Sequence, residues 1–382
     1  MTADWTLTCS ACDATAPPTG LPTVCPACGQ PWLVRYPARR HPPETRAALG
    51  AGTGMWRYRS FLPVAPGETP VTLGEGGTPL LRLERTACQL GLGETWLKDE
   101  STNPTGSFKA RGLAMAVTRA TLAGAEAFVV PTAGNAGIAL AAYAARAGRA
   151  AKIFAPTTTP RTIVAQMRMF GADVELLEGH IGDSGRAARE YAARTGAFDV
   201  STLREPYRIE GKKTLGLEIA EQLGWTLPDA VVYPAGGGTG LIGMWIAFAQ
   251  LLQAGWVRGT PPRLFAVQST GCAPVVRAVD AGADRCEPWA EPWTIASGLR
   301  VPNPLGGALM LGAIRETGGG AVAVTDERLA EEARAGSARE GVDLSPEGGA
   351  TLAAAGELRR RGLLGPGDRV VLFNTGAGWL YR

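Results

Sequence analysis

A chain of 382 residues is too long for one simple core and long enough for two domains with an appendage. Hydrophobic residues make up 45% and charged residues 19%, the balance of an ordinary soluble protein, and a formal charge of +3 gives no argument for a nucleic-acid surface. No apolar run approaches the length of a bilayer span, and Met1 to Thr8 lack the basic and apolar regions of a signal peptide, so a cytoplasmic protein with no membrane partner is expected.

The head of the chain carries Cys9-Ser10-Ala11-Cys12 and Cys25-Pro26-Ala27-Cys28, two Cys-x-x-Cys knuckles with twelve residues between them. Four thiolates on paired tight turns suit a tetrahedral Zn²⁺, so Cys9, Cys12, Cys25 and Cys28 are expected to form a zinc ribbon within residues 1–40. Four cysteines close the coordination shell, which argues for structural rather than catalytic zinc. The alternative, a redox pair or disulfides, fits a cytoplasmic chain poorly. Cys88, Cys272 and Cys286 have no partners by spacing. From Arg35 to Arg59 the sequence is rich in Pro, Arg and Gly and reads as a linker arm.

Beyond the arm, short apolar runs alternate with Ala-rich helical stretches from Glu94 to Asn374, the pattern of an α/β protein with a mainly parallel sheet. A strand-like segment ends at Lys98-Asp99-Glu100. It is followed by Ser101-Thr102-Asn103-Pro104-Thr105-Gly106-Ser107-Phe108-Lys109 and a predicted helix over Arg111 to Ala123. The turn-rich approach aims Lys109 at something, and an aimed lysine suits a Schiff base with a carbonyl cofactor. Taken alone, a lysine near a helix start is more often a surface residue.

Two further loops add weight. Pro131-Thr132-Ala133-Gly134-Asn135-Ala136-Gly137 lies between the run Ala127 to Val130 and a helical stretch over Ile138 to Ala147. Pro234-Ala235-Gly236-Gly237-Gly238-Thr239-Gly240 lies between Ala230 to Tyr233 and a helical stretch over Leu241 to Leu252. Backbone N–H groups at a helix start form an anion cradle, and glycine lets an oxyanion approach closely. The second loop has four glycines in five residues and is the better phosphate site. It spells neither a P-loop nor a dinucleotide fingerprint. Its bland alternative is a tight strand-to-helix turn.

The Asn-Pro-Thr-Gly-Ser-Phe-Lys string, then a Gly-Asn loop, then a triple-glycine loop resemble the pyridoxal-phosphate enzymes of the tryptophan-synthase-β fold type (fold type II). Within it, the chain most resembles threonine synthase and its relatives. Glu205 to Thr214, Ile295 to Arg300, Ser345-Pro346-Glu347-Gly348 and Asn374-Thr375-Gly376-Ala377-Gly378 support this. The resemblance implies a two-domain α/β fold with the smaller domain inserted in the larger. Residues 41–106 would form the arm and the first part of the large domain, 107–207 the small domain, and 208–382 the rest of the large domain, commonly in a homodimer.

The resemblance also implies roles. Lys109 would carry the cofactor as a Schiff base and act as the proton shuttle, with Phe108 packed beside the ring or in the core. Gly236, Gly237, Gly238, Thr239 and Gly240 would hold the cofactor phosphate. Asn135 would bond the ring 3′-oxygen, and Thr375 would meet the pyridine nitrogen. On the substrate side, Arg208 would clamp a phosphate, with Thr132 and Ser297 nearby. Arg300 suits either a substrate carboxylate or a surface pair. Glu347, after Ser345-Pro346, reads as a favourable charge at a helix start. His41 and His180 lie outside every motif.

The implied reaction converts O-phosphohomoserine and water to threonine and phosphate. Three departures put the substrate in question: Ala133 stands where the family commonly has Ser or Thr, Thr202 and Leu203 stand where it has Asn and Ser, and Trp379 follows the C-terminal signature. They keep a second enzyme reading open, a serine/threonine ammonia-lyase or a β- or γ-replacement enzyme on another activated amino acid. A third reading, from another class, is an inactive scaffold carrying a zinc-ribbon interaction module.

Overall fold

The computed structural model describes residues 4–37, 49 and 52–382. Much of the predicted arm between Arg35 and Arg59, and His41 with it, lies outside the described residues. The chain divides into two compact units. One comprises Met1–Gly77, Asn103–Thr105 and Lys109–Thr214; the other comprises Thr78–Thr102, Gly106–Phe108 and Leu215–Arg382.

The first unit opens with a small antiparallel sheet. Strand Thr6–Cys9 pairs with both Thr15–Ala16 and Trp32–Arg35. Its larger sheet is wholly parallel, with strands in the order Asp173–Leu177, Ala150–Pro156, Ala127–Pro131, Phe198–Asp199. Ala-Phe-Val-Val followed by Pro131 explains one of these strands. The apolar run is buried by helices, and the proline, which cannot donate to a ladder, stands at its end. Helix Asn135–Arg146 follows at once and is almost wholly buried.

The second unit holds a six-stranded sheet in the order Gly320–Val324, Arg263–Ser269, Ala230–Pro234, Val370–Asn374, Thr95–Asp99, Leu80–Arg82. Only the edge strand Leu80–Arg82 runs antiparallel. The central strands Ala230–Pro234 and Val370–Asn374 are buried along their whole length, the mark of a sheet covered on both faces. The apolar core of this unit gathers Val232, Phe265, Val267 and Leu372 with Leu352 and Leu358 of helix Pro346–Arg360.

The three helices after the motif loops start earlier than the sequence reading places them. They run Lys109–Leu122, Asn135–Arg146 and Thr239–Gln253, not from Arg111, Ile138 and Leu241. In each case a motif residue itself opens the helix. Glycine and asparagine depress helix propensity in a sequence reading, whereas a helix start tolerates them because the first N–H groups have no intrahelical partner. Likewise, the strand ends at Asp99, and Glu100 begins a short 3-10 turn.

Candidate active site

Lys109 is the first residue of its helix and stands partly exposed. What precedes it is fixed. Phe108 N–H donates to Thr375 O at 3.0 Å, Ala377 N–H donates to Gly106 O at 2.8 Å, and Ser107 bridges Gly376. The three residues before Lys109 thus form a miniature antiparallel pair with Thr375–Ala377. The Phe108 ring meets Tyr233 edge-on at 6.1 Å, and Tyr233 meets Phe373 at 5.0 Å. Phe108 is therefore a packed core residue lodged between two strand ends.

Tyr233 is also what makes Gly240 necessary. A Cβ at Gly240 would lie 2.0 Å from the Tyr233 hydroxyl oxygen. At Gly236 a Cβ would lie 2.1 Å from Gly298 O, and Gly238 takes a left-handed backbone with φ +77°. Helix Thr239–Gln253 starts at this loop without a side-chain cap, so its first N–H groups are left to an outside acceptor. The glycines let this loop pack directly on Gly298, Met310 and Tyr233, and a loop of small residues whose backbone N–H groups stand at an uncapped helix start fits a phosphate, and so pyridoxal phosphate.

Gly298 carries a second observation. Its N–H donates to Glu347 Oε1 at 2.8 Å, and a Cβ there would meet the same oxygen at 2.8 Å. Glu347 does stand in the first turn of helix Pro346–Arg360, where Ser345 supplies the cap to Gly348 N–H. Its side chain, however, turns away from a merely local role: it is fully buried and props the Ser297–Leu299 turn against Gly236. Burial pushes its carboxyl above the usual carboxylate range. Sequence reading missed this because a first-turn glutamate is ordinarily a solvated charge. Ser297 is half-buried on this turn, and Arg300 just beyond it lies over the Trp293 ring at 5.1 Å.

In the first unit, Asn135 opens helix Asn135–Arg146. Gly137 lets the helix start close on its own loop, since a Cβ there would lie 2.7 Å from a Thr132 methyl. Thr132 is buried, and its hydroxyl accepts Gly134 N–H at 3.1 Å. The same helix is pinned further along by Tyr143, whose hydroxyl donates to the buried Glu75 at 2.6 Å.

Arg208 is 1% exposed in the first turn of helix Tyr207–Gln222. Its Nη1 donates to Val200 O at 2.7 Å, while Nε and Nη2 are buried with no hydrogen-bond partner among the described residues. Those two atoms form the side-on fork that matches a carboxylate or phosphate. Burial pulls the guanidinium pKa down, and Glu205 and Asp199 oppose that pull. Glu205 accepts the N–H groups of Tyr207 at 2.8 Å and Arg208 at 3.0 Å and so caps the helix. Burial drives its carboxyl up to about 7. Just upstream, Leu203 is buried with a left-handed φ of +64°, an uncommon conformation for a branched residue, in the stretch where the sequence departs from the family pattern.

Lys109 and Arg208 open two helices that touch through glycine. A Cβ at Gly112 would lie 3.1 Å from Arg208 O, and one at Gly211 would lie 2.1 Å from Arg111 O. The backbones therefore meet within a turn of both residues. Neither glycine announces this in the sequence, where each reads as a weak point in a helix.

The four head cysteines converge, with all Sγ atoms within 4.8 Å of one another. Cys9 and Cys28 are 3.3 Å apart, Cys12 and Cys28 3.5 Å, and Cys12 and Cys25 3.7 Å.

Comparison with known proteins gives the class. The profile described as pyridoxal-phosphate dependent enzyme matches residues 71–376, and the chain belongs to that family. Within it the chain is threonine synthase-like. The threonine synthase of Methanocaldococcus jannaschii is 34% identical over 326 residues, 85% of this chain and 80% of that protein. The threonine synthase of Synechocystis sp. is 33% identical over 345 residues, covering 88% and 87%. Among solved structures, maize serine racemase superposes with a TM-score of 0.69 at 22% identity, covering 79% of this chain and 88% of that one. The threonine deaminase of T.th. gives 0.66 at 27%, covering 78% and 92%. Among the described residues, no helix is long and apolar enough to cross a membrane.

Proposed function

We propose that the chain converts O-phosphohomoserine and water to threonine and phosphate, with Lys109 holding the cofactor and Arg208 holding the substrate phosphate. One observation carries this reading: the buried side-on fork of Arg208, without a partner among the described residues, on a helix whose first turn touches the one that Lys109 opens. A buried donor pair with no acceptor is costly unless an anion arrives to meet it. The similarity to threonine synthases along most of the chain supports the same reaction.

When bound, pyridoxal phosphate supplies an electron sink next to the substrate amino group. The chain supplies the rest. Gly236, Gly237, Gly238, Thr239 and Gly240 would hold the cofactor phosphate through backbone N–H groups and one hydroxyl, and Asn135 would bond the ring 3′-oxygen. Thr375 would offer the pyridine nitrogen a hydroxyl rather than a carboxylate, an environment that favours elimination and replacement over transamination. Lys109 Nζ would take one proton from the substrate Cα and one from Cβ, so that the Cβ–H pair expels phosphate from Cγ, and would return protons to Cγ and Cα as water adds its hydroxyl at Cβ. Arg208 keeps the leaving phosphate in register with that exchange, and Thr132 and Ser297 border the reacting carbons.

A second reading, a serine/threonine ammonia-lyase, has its own support. Ala133 offers no hydroxyl, and the Thr132 hydroxyl is already engaged by Gly134. A product assay separates the two. O-phosphohomoserine is expected to give threonine and phosphate in equal amounts. Phosphate with 2-oxobutanoate and no threonine, or turnover of serine or threonine instead, would favour the lyase.

Cys9, Cys12, Cys25 and Cys28 are the ligands of a structural zinc in this reading. The three close sulfur pairs approach the edge of about 3.8 Å that a tetrahedron with zinc–sulfur bonds of about 2.3 Å requires. Cys9→Ser is expected to remove the zinc and lower Tm by several degrees, with kcat retained in the folded fraction. Elemental analysis beside a melting curve checks it, and full zinc content in the variant would dismiss the ligand set. The enzyme is expected to be cytoplasmic and homodimeric.

A further inference from the structure

Two contacts join the N-terminal ribbon to the helix that carries Arg208. Tyr36, directly after strand Trp32–Arg35, donates its hydroxyl to Glu210 Oε2. Lys213 Nζ lies 2.6 Å from the same carboxylate and 4.6 Å from the centre of the Tyr36 ring, and it also donates to Phe61 O at 2.7 Å. The second contact starts at Trp5, the residue before strand Thr6–Cys9. The Arg119 guanidinium stands 4.8 Å from the Trp5 ring and 5.7 Å from the Tyr207 ring, a cation held between two aromatic faces. Arg119 is itself fixed by Glu68 at 2.7 Å.

Tyr207 and Glu210 are one turn apart on the helix, and Arg208 stands between them in sequence. Trp5 is 2% exposed, Glu210 2% and Lys213 fully buried. Tyr36 is itself partly exposed, but its partner carboxylate is buried and shared with Lys213, so losing the Tyr36 hydroxyl takes one of two contacts from a buried charge. A ribbon needed only to complete the fold could attach anywhere on its unit. This one fastens the single turn that presents the unpartnered fork.

We propose that the ribbon positions the Arg208 anion site: Trp5 and Tyr36 hold the first turn of helix Tyr207–Gln222 so that the Nε–Nη2 edge meets the substrate's anionic group. This rests on the reading of Arg208 given above. Neither residue touches substrate, and both act through the turn.

The test uses full-length holoenzyme with Tyr36→Phe, which removes one hydroxyl and keeps the ring. The readouts are KM and kcat for O-phosphohomoserine and the inhibition constant of inorganic phosphate. The KM and the phosphate constant are expected to rise about fivefold together, with kcat within about twofold, the size of coupling between neighbours in one network. In an Arg208→Lys background the same change is expected to add almost nothing, because the fork it positions is gone. An unchanged KM and phosphate constant in Tyr36→Phe overturns the proposal. So does an equal further rise in the Arg208→Lys background, which would mark a general loss of structure. If Arg208→Lys by itself leaves the phosphate constant unchanged, the anion-site reading fails and takes this one with it. Where Tyr36→Phe does not fold, Trp5→Phe is measured in the same way, with the same expected and overturning results.

Discussion

Lys109→Ala enzyme is expected to purify without colour, to stay colourless when pyridoxal phosphate is added, and to lose at least about 10³-fold in kcat. The size follows from how firmly the position is held. Before it, Gly106 to Phe108 are bonded to Thr375 and Ala377 and packed on Tyr233. After it, the helix meets Arg208 O through Gly112. Nor can another lysine step in readily. Lys212 is fully buried on the neighbouring helix, Lys213 is paired with Glu210, and Lys98 is paired with Glu218 at 2.9 Å. Absorbance before and after borohydride reduction reads the covalent bond independently of turnover. Retained turnover in the alanine variant would remove the role given to Lys109.

Arg208→Gln is expected to keep the colour and to lose about 10²- to 10³-fold in kcat/KM for O-phosphohomoserine. The proposed cofactor contacts do not include Arg208, so the absorbance spectrum is the internal control. The loss has two sources. A bidentate charge-assisted contact to the phosphate disappears, and the buried carboxylates of Glu205 and Asp199 lose their cation. Steady-state kinetics and competition by inorganic phosphate measure it. An unchanged kcat/KM would mean that the substrate anion is held by other groups, and a bleached spectrum would mean that Arg208 serves the cofactor instead.

Much of the candidate site's local structure was legible in the sequence because the loops after Asp99, Val130 and Tyr233 are built from residues with few other uses. Proline and glycine in each of the three, with asparagine in the first two, leave little room for a different local structure. Helix starts were less legible, since Lys109, Asn135 and Thr239 owe their place to unpaired N–H groups rather than to propensity. Long-range contacts were not legible at all. Glu347 reaching Gly298, Tyr36 reaching Glu210, and Gly211 against Arg111 each join residues 49, 174 and 100 positions apart, and no short pattern encodes such pairings. The Thr202–Leu203 departure was visible as sequence. Its form, a buried leucine with left-handed backbone, depends on the packing around it.

The crossing at Gly112 and Gly211 also bears on which amino acids the enzyme accepts. Arg208 O and the buried Lys212 side chain close on Gly112, and Arg111 O closes on Gly211, so the spacing of the two helix starts is fixed by tight packing. If Lys109 and Arg208 have the proposed roles, this crossing sets the frame from which both side chains reach an amino acid of a given tail length. Exchanging lining side chains would adjust the fit around the tail. Under that reading, a bulkier residue at the crossing is expected to move the frame itself and with it the preferred number of carbons.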